Sequence, residues 1–167
     1  LGLLGVVLAA CGDEPVLVVC DKHGGRNAYG RLLQQQFPDP LIEVRRELAS
    51  LACVEGDPAA LREALTNLIF NAVDAMPTGG TITVRLHTEG PHAVLEVADT
   101  GTGMTDQVRR HCLEPFFTTK GDRGTGLGLP MVYGVVTRHG GTLEIQSELG
   151  VGSSFSLRLP TSPPEGS

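Results

Sequence analysis

The sequence predicts an α+β sandwich, in which helices cover one face of a mixed or mostly antiparallel sheet. Three observations support this class. A capped amphipathic helix lies in the first half of the chain, two pairs of alternating strands follow, and the elements do not alternate as βαβ units. The order is strand, helix, hairpin, loop, helix, hairpin. With 167 residues, the chain is long enough for one domain with a core and an additional segment.

The first helix is predicted over residues 58–76. Asp57 is a suitable N-cap and Pro58 fits the first helical turn. Residues 77–80, with the sequence PTGG, end the helix. Apolar side chains that recur at steps of three and four form its buried stripe: Leu61, Leu65, Leu68, Ala72 and Ala75.

The remaining elements follow from periodicity and turn signals. Short strands are predicted at 15–20, 41–48 and 51–54, a hairpin at 81–87 and 93–98, a short helix at 105–111, and a closing pair of strands at 142–147 and 154–159. A second long helix is predicted at 127–139, with a buried stripe formed by Leu129, Val132, Tyr133 and Val136. Residues 113–126, named here the lid loop, are rich in Gly and Thr and are predicted to be a mobile lid.

The two ends of the chain are assigned no chemistry. Residues 1–40 form an N-terminal segment of unknown role, although Leu8-Ala9-Ala10-Cys11 is similar to a lipoprotein cleavage site. No initiator Met or basic leader precedes that motif, which argues against the interpretation. Residues 161–167 are a polar tail that is expected to be disordered.

Composition excludes several classes of function. The net charge of −6 and the absence of Trp argue against nucleic acid or an anionic membrane surface as the main partner. No pair of the four cysteines has CxxC spacing, so free thiols in a reducing cytoplasm are expected. No apolar run reaches the length of a membrane span.

Polar side chains on the first helix form the first candidate site. Asn67, Asn71 and Asp74 are four and then three residues apart, so they share one face beside the apolar stripe. Their oxygen atoms suit a hard cation such as Mg²⁺ that carries a phosphate. Taken alone, the pattern is also typical of a solvated helix face.

Two further motifs follow the predicted hairpin. Asp99 ends a strand before Gly101 and Gly103, and its carboxylate can accept a hydrogen bond from the amino group of adenine. An ordinary turn has the same composition. Residues 115–120, with the sequence PFFTTK, either anchor a surface loop or form a lid in which two Phe side chains dock and Lys120 reaches a phosphate.

A glycine-rich segment leads directly into the second long helix. Residues 124–128, with the sequence GTGLG, place backbone amides at a helix N-terminus, where the helix dipole favours an anion. Lys120 and Arg123 are nearby cations. The spacing matches neither the P-loop nor the dinucleotide fingerprint, and a flexible loop with a helix cap is the alternative.

Together, the four motifs resemble the N, first G, F and second G boxes of the ATP-binding domain of sensor histidine kinases. This family belongs to a superfamily shared with DNA gyrase, a heat-shock chaperone family and mismatch-repair ATPases. The resemblance spans about residues 41–160, including the turn at 150–155. The sequence NAVDAM at residues 71–76 looks most like that of nitrogen-regulation-type kinases. It implies a Bergerat-type ATP-binding fold with ATP and Mg²⁺ as cofactors.

The resemblance also implies roles for individual residues. Asn71 would bind Mg²⁺ with help from Asn67, and Asp99 would bind the adenine amino group. Ser153 or Ser154 would support Asp99, with Ser154 preferred. Met104 would pack against the base pocket that Gly101 and Gly103 shape. Catalysis would involve Asn67, Asn71 and Lys120, and the full nucleotide-binding set would be Asn71, Asp74, Asp99, Gly101, Gly103, Met104, Lys120, Gly124, Thr125, Gly126, Leu127, Gly128 and Ser154.

One position separates two reaction types. ATP-hydrolysing relatives carry a Glu four residues before the metal-binding Asn, where it activates water as a general base. Asn67 occupies that position here and cannot accept a proton in that role. Because Glu63 lies a full turn further away, the sequence favours phosphoryl transfer to a protein over transfer to water.

A complete kinase of this family has a phospho-accepting helical hairpin before the ATP-binding domain, and we do not expect residues 1–40 to form it. Residues 23–27 weakly resemble the His-x-x-Arg-Asn motif of that hairpin, with His23 at the first position. Gly24 and Gly25 disfavour a helix there. We therefore expect a cytoplasmic catalytic domain that is inactive without a separate histidine-containing dimerisation domain, with a response regulator as the final acceptor and no nucleic-acid or membrane contact. A non-catalytic ATP-dependent interaction module and a small gyrase-type ATPase are the alternatives.

Overall fold

The computed structural model describes residues 16–18, 42–48, 53–121 and 124–161. The elements in chain order are β1 (Val16–Val18), β2 (Ile42–Leu48), β3 (Cys53–Glu55), α1 (Pro58–Asp74), β4 (Gly80–Glu89), β5 (His92–Asp99), α2 (Asp106–His111), α3 (Gly128–Arg138), β6 (Thr142–Glu148) and β7 (Gly152–Pro160). The lipoprotein-like motif, His23, Arg123 and the tail at 162–167 lie outside the described residues.

Five strands form one mixed sheet in the order β2-β4-β5-β7-β6. The β2–β4 pair is parallel, and the other three pairs are antiparallel. This arrangement confirms the predicted α+β sandwich with a mostly antiparallel sheet. A separate two-stranded sheet pairs β1 with β3, so part of the N-terminal segment is attached to the domain.

Strand alternation determines which face of the sheet is covered. In β4, β5 and β7, the side chains on one face of the sheet are buried, and this set includes Ile82, Val84, Leu86, Leu95, Val97, Phe155, Leu157 and Leu159. These side chains join the buried residues of α1 and α3 in one core. The helices therefore lie on one face of the sheet, as predicted.

Helix α1 begins as its sequence predicts. The Asp57 carboxylate accepts hydrogen bonds from the backbone N–H groups of Ala59 and Ala60, at 2.9 and 3.3 Å. The helix ends at Asp74, two residues earlier than predicted, and Ala75 is its C-cap. Its buried side chains are Leu61, Ala64, Leu65, Leu68, Ala72 and Val73.

The hairpin between β4 and β5 is longer than predicted. Its strands remain paired as far as Glu89 and His92, so only Gly90 and Pro91 form the loop. Gly90 adopts a φ of 56°, a conformation that glycine tolerates without steric cost and that permits a tight turn. The predicted five-residue connection at 88–92 was therefore mostly strand.

The predicted stripe on α3 contained one wrong residue. Tyr133 is 48% exposed, whereas Val135 is 1% exposed and joins Val132 and Val136 in the core. At about 100° per residue, positions 133 and 135 lie on opposite sides of position 132. The spacing was compatible with either side, and packing against α1 and the sheet selected the valine.

His139 joins the end of α3 to the start of α1. The backbone N–H of Asp57 donates to its Nε2 at 2.9 Å, and its Nδ1 donates to the Val135 carbonyl at 2.7 Å. Because a backbone N–H can only donate, this geometry requires a neutral ring that carries its proton on Nδ1. A Cβ on Gly56 would lie 2.0 Å from the ring, so only glycine leaves room for this contact.

Candidate functional site

A cavity of about 400 Å³ opens between α1, the loop after β5, the lid loop and the start of α3. This volume is within the range of small-molecule sites. It brings together residues from all four predicted motifs, which are Asn67, Asn71, Asp74, Asp99, Gly103, Met104, Lys120, Gly124, Thr125, Gly126 and Gly128. Three predicted residues, Gly101, Leu127 and Ser154, do not line it.

Polar groups on α1 form one end of the cavity. Asn71 Oδ1 accepts a hydrogen bond from Lys120 Nζ at 3.1 Å, and the same ammonium lies 2.5 Å from Asp74 Oδ2. Asn71 Nδ2 is buried and has no hydrogen-bond partner among the described residues. A buried amide without a partner is costly, which indicates that this end is shaped for a ligand.

Asn67 lies one turn before Asn71 and also lines the cavity. Its amide nitrogen donates to the Glu63 carbonyl at 2.9 Å. A Cβ on Gly128 would lie 3.1 Å from Asn67 Oδ1, so the start of α3 approaches this oxygen closely because residue 128 has no side chain. The Glu63 side chain, which the sequence suggested as a poor substitute for a base at position 67, is exposed and does not line the cavity.

Asp99 forms the other end of the cavity, where it is 9% exposed. Its Oδ1 accepts from the Gly101 backbone N–H at 2.8 Å. Burial raises the pKa of the Asp99 carboxyl, and backbone hydrogen bonds from Gly101 and Ser153 oppose that rise. The carboxyl is therefore held rigidly in a poorly solvated wall, where a hydrogen-bond donor of a ligand has little competition from water.

The glycines after Asp99 are required by protein packing. A Cβ on Gly101 would lie 2.5 Å from the Ala75 carbonyl oxygen, and the Thr102 N–H donates to that same oxygen at 2.9 Å. Gly103 has a φ of 64°, and a Cβ there would lie 1.9 Å from the Glu148 carbonyl oxygen. Both glycines thus hold the loop against its neighbours, which differs from the predicted approach of backbone to a base.

The expected serine partner of Asp99 is corrected from Ser154 to Ser153. Asp99 is paired with Ser153 in the β5–β7 register, and Ser153 lines the cavity. Successive residues of a strand point to opposite faces, so Ser154 lies on the other face, where its hydroxyl donates to Glu96 Oε1 at 2.6 Å. The choice depends on strand register, which the sequence left open between two adjacent serines.

Ser147 supports two residues of the cavity wall without lining the cavity itself, and no sequence motif pointed to it. Its hydroxyl accepts from the Met104 N–H at 2.8 Å and lies 2.9 Å from the Ser153 hydroxyl and 3.1 Å from the Gly152 carbonyl oxygen. It therefore ties the loop after β5 to the β6–β7 turn. Its place two residues after Ile145, on the same face of β6, was a signal that could have identified it.

The two phenylalanines of the lid loop have different environments. Phe117 lines the cavity and packs on the His111 ring, with the ring centroids 5.8 Å apart. Phe116 is 75% exposed and has a φ of 67°, and its N–H donates to the Gly126 carbonyl at 2.9 Å. The prediction that both Phe side chains dock the lid loop is therefore wrong for Phe116.

Phe70 and Cys112 are among the lining residues that were not predicted. Cys112 is buried, its thiol is free, and burial raises its pKa. A protonated thiol is a poor nucleophile and a poor metal ligand, so Cys112 contributes packing to the wall. Leu127, which was predicted to bind the nucleotide, is 44% exposed at the N-cap of α3, outside the cavity lining.

Comparison with known proteins agrees with this geometry. Residues 56–163 match the model of the family described as histidine kinase-, DNA gyrase B-, and HSP90-like ATPase. The chain belongs to this family. The resemblance stated from the four motifs is thereby confirmed, and the family supports ATP as the ligand of the domain.

Relatives with curated names are bacterial kinases. Sporulation kinase C of Bacillus subtilis is 40% identical over 107 residues, which are 64% of this chain and 25% of that protein. Sensor kinase CckA of Brucella abortus is 43% identical over 123 residues, which are 64% of this chain and 13% of that protein. The chain thus spans a quarter or less of the length of these relatives.

Solved structures with the same fold are histidine kinase domains. A mycobacterial sensor histidine kinase, MprB, superimposes with a TM-score of 0.69 at 33% identity, covering 80% of this chain and 89% of that one. Full-length ShkA in complex with AMPPNP gives a TM-score of 0.69 at 29% identity, covering 80% of this chain and 28% of that one. These similarities confirm the predicted fold family.

Among the described residues, no helix is both long and apolar enough to cross a membrane.

Proposed function

We propose that this chain is the Mg²⁺-ATP-binding catalytic domain of a sensor histidine kinase. It would transfer the γ-phosphate of ATP to a histidine on a separate dimerisation domain, from which a response regulator would receive it. The observation that carries this proposal is the cavity itself, which places Asn67 and Asn71 at one end and Asp99 with Ser153 at the other. We propose residues 41–160 as the catalytic domain, with β1 attached through its pairing with β3.

The Asp99 end is suited to the adenine ring. The carboxylate is an acceptor for the exocyclic amino group, and the backbone N–H of Ser153 bonds to it from the neighbouring strand. Ser147 fixes both the Ser153 hydroxyl and the backbone of Met104. The acceptor is thus oriented before the ligand arrives, which reduces the entropy lost on binding.

The lid loop and the start of α3 are suited to the phosphates. Gly124, Thr125, Gly126 and Gly128 line the cavity ahead of and at the N-terminus of α3. Backbone amides at a helix N-terminus attract anions, and Lys120 supplies a positive charge beside them. Leu127 would contribute only its backbone, since its side chain lies outside the cavity lining.

Asn71, with Asn67, would hold Mg²⁺. Both residues present amide oxygens, which Mg²⁺ accepts as ligands when phosphates supply the rest of its shell. The buried Asn71 Nδ2 without a partner agrees with a side chain that is placed for a bound ligand. When bound, the ion neutralises charge on the β- and γ-phosphates.

The positions of the carboxylates in the cavity favour transfer of the γ-phosphate to a histidine over transfer to water. Among the described lining residues, only Asp74 and Asp99 are acidic, and Asp74 pairs with Lys120. Neither is placed as a base for water, and Asn67 cannot serve as one. A neutral imidazole would need no base for the attack, because one ring nitrogen already has a free lone pair. That pair would form the N–P bond while the P–O bond to the β-phosphate breaks and its electrons leave with ADP, and the proton on the other ring nitrogen would then be lost to water.

A phosphotransfer assay tests this proposal. The chain is mixed with a purified dimerisation domain and ATP labelled on the γ-phosphate, and a His→Ala version of the acceptor serves as the control. We expect label on the histidine of the intact acceptor only. Nucleotide binding without labelling would favour the interaction module, and steady phosphate release without an acceptor would favour the ATPase.

A further inference from the structure

One side chain in the described part of the lid loop, Lys120, bonds to α1. Lys120 Nζ lies 2.5 Å from Asp74 Oδ2 and 3.1 Å from Asn71 Oδ1. The lysine and its two partners are 46 and 49 positions apart in the chain, so these contacts determine where the loop lies relative to the helix. Among the described residues that line the cavity, Lys120 is the only Lys or Arg.

The ammonium occupies the acceptor that the proposed function gives to Mg²⁺. A cation at 3.1 Å from Asn71 Oδ1 takes the side-chain oxygen of this residue, while Asn71 Nδ2 remains without a partner. Asp74 contributes the opposite charge that favours this position of the ammonium. Its own oxygen is thereby engaged with Lys120, which differs from the direct nucleotide contact predicted for Asp74.

We propose that Asp74 is a positioning residue that latches the lid loop to α1 by holding the Lys120 ammonium on Asn71. Entry of Mg²⁺-ATP then requires release of this latch, after which Lys120 is available to the phosphates. The latch itself rests only on the contacts of Lys120 with Asp74 and Asn71. Its consequence for nucleotide entry rests on the proposed function.

Hydrogen–deuterium exchange of the nucleotide-free chain tests the latch. Backbone amides of the lid loop, such as Phe116 N–H bonded to Gly126 and Phe117 N–H bonded to Glu114, exchange when the loop opens. We expect Asp74→Asn and Lys120→Met each to accelerate exchange of residues 115–121 roughly two- to fivefold, as for a partly exposed ion pair. The double variant should exchange no faster than Lys120→Met alone, because Lys120→Met already removes the contact with Asp74.

Asp106→Asn is the matched control. It removes an exposed carboxylate that pairs with Arg109 at 3.0 Å and does not line the cavity, so lid exchange should not change. Exchange across β4 and β5 reports whether each variant remains folded. The latch proposal would be overturned if hydrogen exchange of residues 115–121 were unchanged in Asp74→Asn, or if the two substitutions had additive effects in the double variant.

Association of a fluorescent ATP analogue in the presence of Mg²⁺ tests the consequence for nucleotide entry. We expect a roughly two- to fivefold faster association rate in Asp74→Asn, because the latch no longer has to open first. An unchanged rate alongside accelerated lid exchange would overturn the coupling to nucleotide entry. Failure of every variant to bind nucleotide would count against the proposed function, whereas the exchange result would still decide whether the latch exists.

Discussion

Asp99 is a buried carboxylate, and its burial has opposite effects on the free protein and on ligand binding. Burial raises the pKa of its carboxyl, since the ionised form is poorly solvated. The same poor solvation strengthens a hydrogen bond from a ligand donor to the carboxylate. A buried acid at this position is therefore unfavourable for the free protein and favourable for ligand binding.

Replacement of this acid tests its role at the adenine end. Asp99→Asn removes the charge, and its amide can present a donor where adenine also donates, so ATP affinity should fall about 10- to 100-fold. Calorimetric titration measures the change. Glu96→Gln is the control, because Glu96 lies on the opposite face of β5 with Arg85 and Ser154, and affinity should stay unchanged. Equal affinities for Asp99→Asn and wild type would remove Asp99 from the site.

The raised pKa of Asp99 predicts how binding and stability depend on pH. Protonation removes the acceptor, so ATP affinity should weaken as pH falls through the Asp99 pKa, at a higher pH than for an ordinary aspartate. The contribution of Asp99 to stability has the opposite sign: it is present below the unfolded-state pKa and is lost as pH rises through the raised pKa of the folded state. Titrations and thermal unfolding over the acidic range measure both trends, and Asp99→Asn should lack both.

At the scale of elements, α1 and α3 frame the site and are joined at the end away from it. Gly56 and His139 make that junction, since the ring occupies the space of a missing Cβ and accepts from the Asp57 N–H. At the other end, Gly128 brings the start of α3 against Asn67. Glycines at both ends thus let the two helices approach each other.

Two glycine substitutions should have opposite effects on stability. Gly56→Ala places a methyl group against the His139 ring and should lower the free energy of unfolding by about 1–3 kcal/mol. Gly134→Ala lies inside α3, with no other atom within 4 Å of the added Cβ, and should raise it by about 0.5–1 kcal/mol. Urea denaturation measures both. A stable Gly56→Ala variant would show that the junction can relax.

Local signals predicted most elements, because capping and periodicity act over a few residues. Asp57 and the apolar stripe identified α1, and alternation identified β4 to β7. The errors concern contacts between distant segments. The choice of Ser153 over Ser154 depends on pairing with Asp99, and the burial of Val135 over Tyr133 depends on where α3 packs. The bond between Lys120 and Asp74 likewise has no local signal.

At the scale of the whole molecule, the negative net charge of the chain makes ATP binding dependent on a divalent cation. The chain carries a net charge of −6, and Lys120 is the only Lys or Arg among the described residues that line the cavity. ATP is itself strongly anionic, so its binding here needs backbone amides, this lysine and a divalent cation together. We therefore expect nucleotide affinity to depend strongly on Mg²⁺.

Calorimetric titration of the chain with ATP, with and without Mg²⁺, tests the central claim most directly. We predict one site whose affinity rises with Mg²⁺, and an Asn71→Ala variant in which most of that rise is lost. Gln107→Ala, on the exposed side of α2 outside the cavity lining, should behave as wild type. ATP binding that is independent of Mg²⁺ and of Asn71, or no binding at all, would contradict the assignment of this cavity as a Mg²⁺-ATP site.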